Sequence, residues 1–304
     1  MKILITGAGG MLGSDLAAIL GPQFSCVGAG RNPAPHLQIP YRQQDLTFPG
    51  AIAKILLEEK PDLVFHAAAM TQVDDCERNR EMAMLLNYQM TRDIVTACNA
   101  AGAFLIFFST DYVFDGKKKG EYLEDDPVHP GNIYGESKAL AENFIRETAE
   151  HYTIFRVSWL YGRRGKSFPR TLLERAGSQK VFEVVSDQTG RPTYTRDLAK
   201  AVQSLLLRGP EILETIDHQI FHLANEGAVS WAGFAERILK AGKYPESQVI
   251  PVTSGQLKRP ARRPENSVLS TKKAESILKL QLRSWQEALT DFIAEITPEL
   301  RPAG

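Results

Sequence analysis

The sequence TGAGGMLG occupies residues 6–13, directly after a short apolar run and directly before a helical pattern. Its glycines Gly7, Gly10 and Gly13 are three residues apart. This spacing permits a sharp turn and brings backbone N–H groups close to a bound diphosphate. The start of the following helix then stabilises the negative charge. The stretch therefore predicts a strand–turn–helix unit that binds a dinucleotide, and a tight turn without a ligand is the simpler alternative.

Outward from this turn, short apolar runs alternate with longer helical patterns. The runs are almost continuously apolar, which is typical of a parallel sheet covered by helices on both faces. The predicted strands are Ile3–Thr6, Ser25–Ala29, Leu63–Ala67, Phe104–Ser109 and Tyr152–Val157, separated by predicted helices at 11–20, 51–60, 82–101 and 132–150. Beyond about residue 165 the alternation becomes irregular. We therefore predict an α/β fold, with a doubly wound Rossmann domain over residues 1–165 and a smaller, discontinuous α/β substrate lobe, mainly residues 166–304.

The composition is that of an ordinary globular protein. Lys plus Arg and Asp plus Glu both number 36, so the formal net charge is zero and nothing suggests a nucleic-acid or membrane partner. No run of about 18 apolar residues exists, and the N-terminus lacks the apolar segment of a signal peptide. The cysteines Cys26, Cys76 and Cys98 are widely spaced and form no CxxC pair. We expect a cytoplasmic protein with buried, reduced thiols.

The end of the second predicted strand reads Gly28-Ala29-Gly30-Arg31, without a carboxylate. An acidic residue there would bind the 2′-hydroxyl of an adenosine ribose, whereas an arginine can pair with a 2′-phosphate. The sequence therefore favours NADPH, with NADH possible, unless Arg31 is an ordinary solvated charge. Asp45 and Leu46, after the next short strand, are expected near the adenine.

Tyr134 and Lys138 are four residues apart on a predicted helix, so their side chains share one face. A phenol has an ordinary pKa of about 10 and is a poor acid at neutral pH. A neighbouring ammonium, together with a positive nicotinamide, would lower this pKa; a decrease of about two units corresponds to roughly 2.7 kcal/mol. Tyr134 could then give a proton to a carbonyl oxygen as hydride reaches the carbon. Because such pairs arise by chance, the prediction gains weight from Thr110, which ends the fourth predicted strand and would project into the same crevice.

Several strings resemble the extended short-chain dehydrogenase/reductases, and within them the dTDP-4-dehydrorhamnose reductase family. The resemblance covers nearly the whole chain, and STDYVFDG at 109–116 is its most specific string. The others are residues 6–13, HAAAMTQVD at 66–74, YGESK at 134–138, RVSWLYG at 156–162 and DQTGRPT at 187–193. The resemblance implies reduction of the C4 ketone of dTDP-4-dehydro-β-L-rhamnose to dTDP-β-L-rhamnose.

By this resemblance Thr110, Tyr134 and Lys138 match catalytic positions, and Tyr134 and Lys138 also bind the cofactor. The other positions expected at the cofactor are Gly7, Gly10, Met11, Leu12, Gly13, Arg31, Asp45, Leu46, Ala67, Ala68 and Ala69. The positions expected at the sugar are Met70, Thr71, Thr110, Asp111 and Trp159. Asn87 is expected to hydrogen-bond the strand below it.

Other features leave alternatives open. The basic loop formed by Lys258, Arg259, Arg262 and Arg263 would bind the diphosphate of the nucleotide sugar or be simply solvated. The acidic residues Asp74, Asp75 and Glu77 are interpreted as a solvated loop, and the six histidines show no metal-ligand spacing, so no metal is expected.

The rival functions are another nucleotide-sugar reductase or epimerase on the same scaffold, and a non-catalytic regulatory subunit that binds NADP. The complete set of Thr110, Tyr134 and Lys138 argues against the second. A homodimer is possible, and the sequence does not decide it.

Overall fold

A seven-stranded parallel sheet forms the centre of the computed structural model, which describes residues 1–300. Its strands are β1 (Lys2–Thr6), β2 (Ser25–Gly30), β3 (Tyr41–Gln43), β4 (Leu63–His66), β5 (Phe104–Thr110), β6 (Tyr152–Val157) and β11 (Gln219–His222). The strand order is β11-β6-β5-β4-β1-β2-β3, and every neighbouring pair is parallel. The order reverses at β1, so the crevice at the carboxyl ends of β1 and β4 is where such sheets bind ligands. The predicted α/β parallel fold is confirmed.

Helices cover both faces of the sheet and also build the second lobe. They are α1 (Met11–Leu20), α2 (Ala51–Glu59), α3 (Val73–Arg78), α4 (Arg80–Met84), α5 (Met90–Ala101), α6 (Ile133–Thr148), α7 (Phe168–Ala176), α8 (Thr195–Leu206), α9 (Ile212–Ile216), α10 (Trp231–Ala241), α11 (Lys272–Leu278) and α12 (Trp285–Leu300). The helix predicted over 82–101 begins earlier, at Arg80, and contains a π-helical turn at Leu85–Gln89. A 3₁₀ turn, Asp111–Val113, follows β5.

Each sheet face has its own apolar core. One core includes residues of β1 and α1, and the chain returns to it through α8 and α11, represented by Leu198 and Leu278. The opposite core packs α2, α5 and α6 against the sheet. Ile5 in the first core and Leu105 in the second are completely buried.

A third core belongs to the second lobe and lies among α7, α10 and α12. Three pairs of short strands accompany it: β7 (Leu160–Tyr161) with β10 (Thr193–Tyr194), β9 (Thr189–Gly190) with β12 (Val229–Ser230), and β8 (Val181–Val185) with β13 (Gln248–Val252). No helix among the described residues is both long enough and apolar enough to span a bilayer.

Candidate active site

The glycine turn between β1 and α1 leaves space that a side chain would fill. Gly7 has φ +68°, and a Cβ there would lie 2.7 Å from the Cα and N atoms of Ala68. At Gly13 a Cβ would collide with the backbone of Gly7, so α1 can pack tightly on the turn. Gly10 caps α1 without a side-chain hydrogen bond, which leaves the first-turn N–H groups available to an anion. The turn fits a dinucleotide diphosphate.

The end of β2 has no room for a carboxylate. A Cβ on Gly30 would lie 2.8 Å from the hydroxyl of Tyr41, which donates to the carbonyl oxygen of Asn32 at 2.6 Å. A side chain at position 30 would displace the Tyr41 hydroxyl from the place where an acidic residue would bind a ribose, and the next side chain, Arg31, is exposed. This arrangement fits a 2′-phosphate better than a free 2′-hydroxyl.

In the turn after β3, the side chains of Asp45 and Leu46 both contact other residues of the protein. Asp45 Oδ1 accepts hydrogen bonds from the N–H and hydroxyl of Thr47, at 3.0 and 2.7 Å, and these bonds lower the pKa of the carboxyl. The Leu46 side chain is only 3% exposed and lies in the core. A contact from Leu46 to an adenine must therefore come from its backbone.

Tyr134 and Lys138 lie on the first turns of α6. Asn132 caps this helix, and its Oδ1 accepts the N–H of Gly135 at 2.9 Å. The Asn132 amide also donates to the carbonyl oxygen of Arg262 at 2.7 Å, so one residue joins the helix to the basic loop. The two predicted side chains line the same cavity.

The ionisation of this pair differs from the expectation that the ammonium lowers the pKa of the phenol. Removal from water raises the pKa of Tyr134, and the hydrogen bond with Thr110 only partly opposes this effect. Burial also lowers the pKa of Lys138 to about 7, and the nearby Glu142 opposes that change. The protein alone therefore disfavours both the phenolate and the full ammonium, because each would be a charge in a dry site.

Thr110 ends β5 and faces the same cavity. Its hydroxyl donates to Asp111 Oδ1 at 3.0 Å and accepts the N–H of Tyr112 at 3.2 Å. Asp111 is 2% exposed, and burial raises the pKa of its carboxyl to about 7. Thr110, Asp111 and Tyr134 thus form one cluster of polar groups in the cavity lining.

Asn87 lies in the π-helical turn and holds the segment after β4. Its Oδ1 accepts the N–H of Met70 at 2.7 Å, and its amide donates to the Met70 carbonyl at 3.0 Å. The amide also donates to Ser137 Oγ at 2.9 Å, which connects the segment to α6. Asn87 therefore bonds the segment after β4 and not, as was expected, the strand itself, and it fixes the backbone of Met70.

A cavity of about 620 Å³ brings most predicted residues together. The predicted residues that line it are Gly10, Met11, Leu12, Ala67, Ala69, Thr71, Thr110, Asp111, Tyr134, Lys138 and Trp159. The predicted residues outside its lining are Gly7, Gly13, Arg31, Asp45, Leu46, Ala68 and Met70. The lining thus joins the start of α1 to the cluster of hydroxyl groups.

An aromatic wall lines the cavity, and of its three members the sequence indicated only Trp159. The rings of Trp159 and Trp231 are stacked, with centroids 3.7 Å apart, and Phe168 meets Trp231 edge-on. Trp159 adopts φ +46°, and Gly190 leaves room for its ring. Trp231 and Phe168 carry no motif, and only their distant packing brings them to the cavity.

In the basic loop one arginine forms an ion pair within the protein and another lines the cavity. Arg263 binds Asp74 with two nitrogens, at 3.1 and 2.9 Å, so Asp74 belongs to a helix and an ion pair and not to a solvated loop. Arg259 also lines the cavity, and desolvation and the charge of Arg263 lower the pKa of its guanidinium. Lys258 and Arg262 are exposed and do not line the cavity.

Two histidines that are far apart in sequence meet at the other end of the sheet. His151 precedes β6 and His218 precedes β11, so both lie at the amino ends of parallel strands. With Asp217 they place three possible ligand atoms within 4.8 Å of one another. The spacing of the histidines in the sequence did not indicate this cluster, because strand pairing is not visible in sequence spacing.

Comparisons with known proteins agree with this geometry. The family model of the RmlD substrate binding domain matches residues 1–297. A dTDP-4-dehydrorhamnose reductase of Burkholderia thailandensis is 34% identical over 298 residues, which cover 95% of this chain and 97% of that protein. A probable dTDP-4,6-dihydroxy-2-methyloxan-3-one 4-ketoreductase of Streptomyces antibioticus is 34% identical, with 99% and 98% covered.

Solved structures point the same way. The dTDP-4-dehydrorhamnose reductase of Bacillus anthracis, solved in complex with NADP, superposes with a TM-score of 0.87 at 32% identity, covering 97% of this chain and 99% of that one. The family model, which matches residues 1–297, spans both lobes and includes the turn, the helix and the loop described above. The chain belongs to the family of the RmlD substrate binding domain.

Proposed function

We propose that this protein is an NADPH-dependent reductase that converts the C4 ketone of dTDP-4-dehydro-β-L-rhamnose to the alcohol of dTDP-β-L-rhamnose. The observation that carries the proposal is the convergence of Thr110, Tyr134 and Lys138 on a cavity that the start of α1 also lines. A hydroxyl, a phenol and an amine in one cleft can hold a carbonyl group and give it a proton. The names of the relatives above support this substrate.

The glycine turn and the end of β2 would hold the cofactor, which supplies hydride when bound. The N–H groups of Met11 and Leu12 would bind its diphosphate, since no side chain caps α1. The segment Ala67–Ala69 would lie against a ribose of the cofactor. Arg31 would pair with a 2′-phosphate, because Gly30 leaves no carboxylate to bind a 2′-hydroxyl. NADH would lack this ion pair and bind less tightly.

Three side chains would act on the ketone. Tyr134 is the proposed proton donor to the ketone oxygen, and Thr110 would hydrogen-bond the same oxygen. Lys138 would bind the ribose next to the nicotinamide and, in its charged form, stabilise the phenolate left on Tyr134.

Both lobes would contribute to binding of the nucleotide sugar. Met70, Thr71, Asp111 and Trp159, all within residues 1–165, would surround the sugar ring. Arg259 is the proposed partner of the diphosphate, because the charge of Arg263 is already matched by Asp74. We propose on the same basis that residues 1–165 bind mainly the cofactor and later residues mainly the substrate, although α8, β11 and α11 return to the first lobe.

The test follows NADPH oxidation with dTDP-4-dehydrorhamnose and, in parallel, with other dTDP-linked 4-ketosugars, which the Streptomyces antibioticus relative makes the second candidate substrates. Tyr134→Phe should lower kcat by about 10²- to 10⁴-fold and preserve NADPH binding measured by fluorescence. Tyr88→Phe is the control, since Tyr88 packs on Phe144 outside the cavity. Cofactor binding without turnover of any 4-ketosugar would instead support the regulatory role.

A cytoplasmic homodimer is part of the same proposal. The buried, unpaired thiols of Cys26, Cys76 and Cys98 support a reducing compartment. Light scattering of the purified protein tests the dimer, and a monomer at micromolar concentration would contradict it.

A further inference from the structure

The Thr110 hydroxyl lies in the middle of a hydrogen-bond chain between Asp111 and Tyr134. It donates to Asp111 Oδ1 at 3.0 Å and accepts the Tyr112 N–H at 3.2 Å, and its interaction with the Tyr134 hydroxyl lowers the pKa of that phenol. A hydroxyl has one proton and two lone pairs, so only one lone pair remains for Tyr134. In this direction Thr110 has no proton for a ketone oxygen, and the proton of Tyr134 is directed to Thr110.

Asp111 is enclosed in a way that favours its neutral form. Its side chain is 2% exposed and lines the cavity, and its Oδ2 has no hydrogen-bond partner among the described residues. A buried carboxylate oxygen without a partner loses its hydration without compensation. Burial accordingly raises the pKa of the carboxyl to about 7, although Ser267 and Thr110 favour the charged form.

We propose that Asp111 is a positioning residue whose neutral carboxyl reverses the chain. The Asp111 carboxyl O–H then donates to Thr110, whose second lone pair already accepts the Tyr112 N–H, so the Thr110 and Tyr134 hydroxyls are both free to donate to the ketone oxygen. The inference rests on the proposed function, because it sets the direction of proton donation in that reduction. When hydride reaches the ketone carbon, the Tyr134 O–H bond breaks and the substrate O–H bond forms. Asp111 keeps its own proton.

This arrangement predicts that kcat/KM falls as the pH rises, which gives the pH profile an alkaline limb. As pH rises above about 7, Asp111 becomes a carboxylate and accepts a hydrogen bond from the Thr110 hydroxyl, so kcat/KM should fall about tenfold per pH unit. The titratable groups that line the cavity together with Asp111 are Tyr112, Tyr134, Lys138, Lys166, Arg259 and Arg263. Lys138 also has a pKa of about 7 and could produce a similar limb, so the two must be separated.

Asp111→Asn separates them. An asparagine amide can donate to Thr110 at every pH, as the neutral carboxyl does. We expect the variant to lose up to about tenfold in kcat/KM at about pH 6, through its changed contact with the sugar, and to lose the limb above pH 7. Asp115→Asn is the matched control, because Asp115 lies in the same string but only accepts from Tyr122 and Lys117 outside the cavity. A limb that persists unchanged in Asp111→Asn would overturn the proposal and assign the limb to Lys138.

A second readout needs no turnover. The infrared difference between the parent protein and Asp111→Asn should contain the C=O stretch of a neutral carboxyl at about pH 6, lost by about pH 8.5. Absence of this band at about pH 6 would overturn the proposal even if the parent enzyme is active. A parent protein that shows the band but reduces no 4-ketosugar would contradict the proposed function instead, so the two failures are distinguishable.

Discussion

The Nζ atom of Lys138 lies 3.8 Å from the centroid of the Phe107 ring. Both residues are almost completely buried: the Lys138 side chain is 2% exposed, and Phe107 belongs to the core between the sheet and helices α2, α5 and α6. The aromatic face compensates the amine for only part of the lost hydration. The charged form is therefore penalised in the folded protein, which gives the residue a measurable effect on stability.

The first prediction concerns the pH dependence of unfolding. The pKa of Lys138 is about 7 when folded, against an ordinary value of about 10.4 when unfolded. Between these values the unfolded chain binds more protons, so stability should rise with pH in that window. Lys138→Met removes this contribution. The difference in unfolding free energy between variant and parent should change by up to about 4 kcal/mol between about pH 6 and about pH 10.

Urea unfolding without cofactor measures this difference, and the control is Lys54→Met, because Lys54 is exposed. A difference for Lys138→Met that is the same at every pH would contradict the burial effect.

The second prediction concerns the glycine turn. Gly7→Ala places a methyl group 2.7 Å from Ala68 and forces alanine to φ +68°. Gly102 has a similar φ of +64°, and a methyl group added there would meet nothing within 4 Å, so Gly102→Ala isolates the backbone strain. We expect about 1 kcal/mol of destabilisation for Gly102→Ala, and about 3 kcal/mol with loss of NADPH binding for Gly7→Ala. Equal losses in thermal unfolding would show that the close approach to Ala68 does not matter.

The third prediction concerns cofactor choice. Arg31→Ala should raise KM for NADPH by about tenfold and leave KM for NADH unchanged, because only the 2′-phosphate loses a partner. Arg42 is exposed on the neighbouring strand and pairs with Glu59, so Arg42→Ala should alter neither value. If KM rises equally for NADPH and NADH, Arg31 contacts a part of the molecule that both cofactors share.

The fourth prediction concerns the nucleotide sugar. Arg259→Ala should raise KM for the substrate by about 10- to 100-fold with little change in KM for NADPH, because a guanidinium beside the cavity is lost. Arg262→Ala is the matched control in the same loop, since Arg262 lies outside the cavity lining. The contrary result, equal effects of the two substitutions, would indicate a diffuse attraction by the loop as a whole.

Local patterns predicted the parallel sheet and the shared face of Tyr134 and Lys138. Both depend on short-range rules: apolar runs set the strands, and a four-residue spacing sets the helix face. The direction of the pKa shifts could not be predicted in this way. It depends on how completely other elements exclude water from the pair, for example through Phe107 on β5.

Contacts between distant segments could not be predicted from local sequence patterns either. Asp74 and Arg263 are 189 positions apart, and no local pattern distinguishes this ion pair from two solvated charges. Trp231 reaches the cavity through packing of the second lobe against Trp159. His151 and His218 meet because β6 and β11 are neighbours in the sheet.

Asn132 has a consequence for exchanging loops between family members. The same side chain starts α6 and holds the carbonyl of Arg262, so the loop proposed to bind the substrate diphosphate is tied to the helix that carries the proposed acid. A chimera that imports residues 258–265 from a relative must reproduce the position of that carbonyl. Otherwise the graft will shift the phenol along with the loop, and a change intended for specificity will appear as a slower reaction.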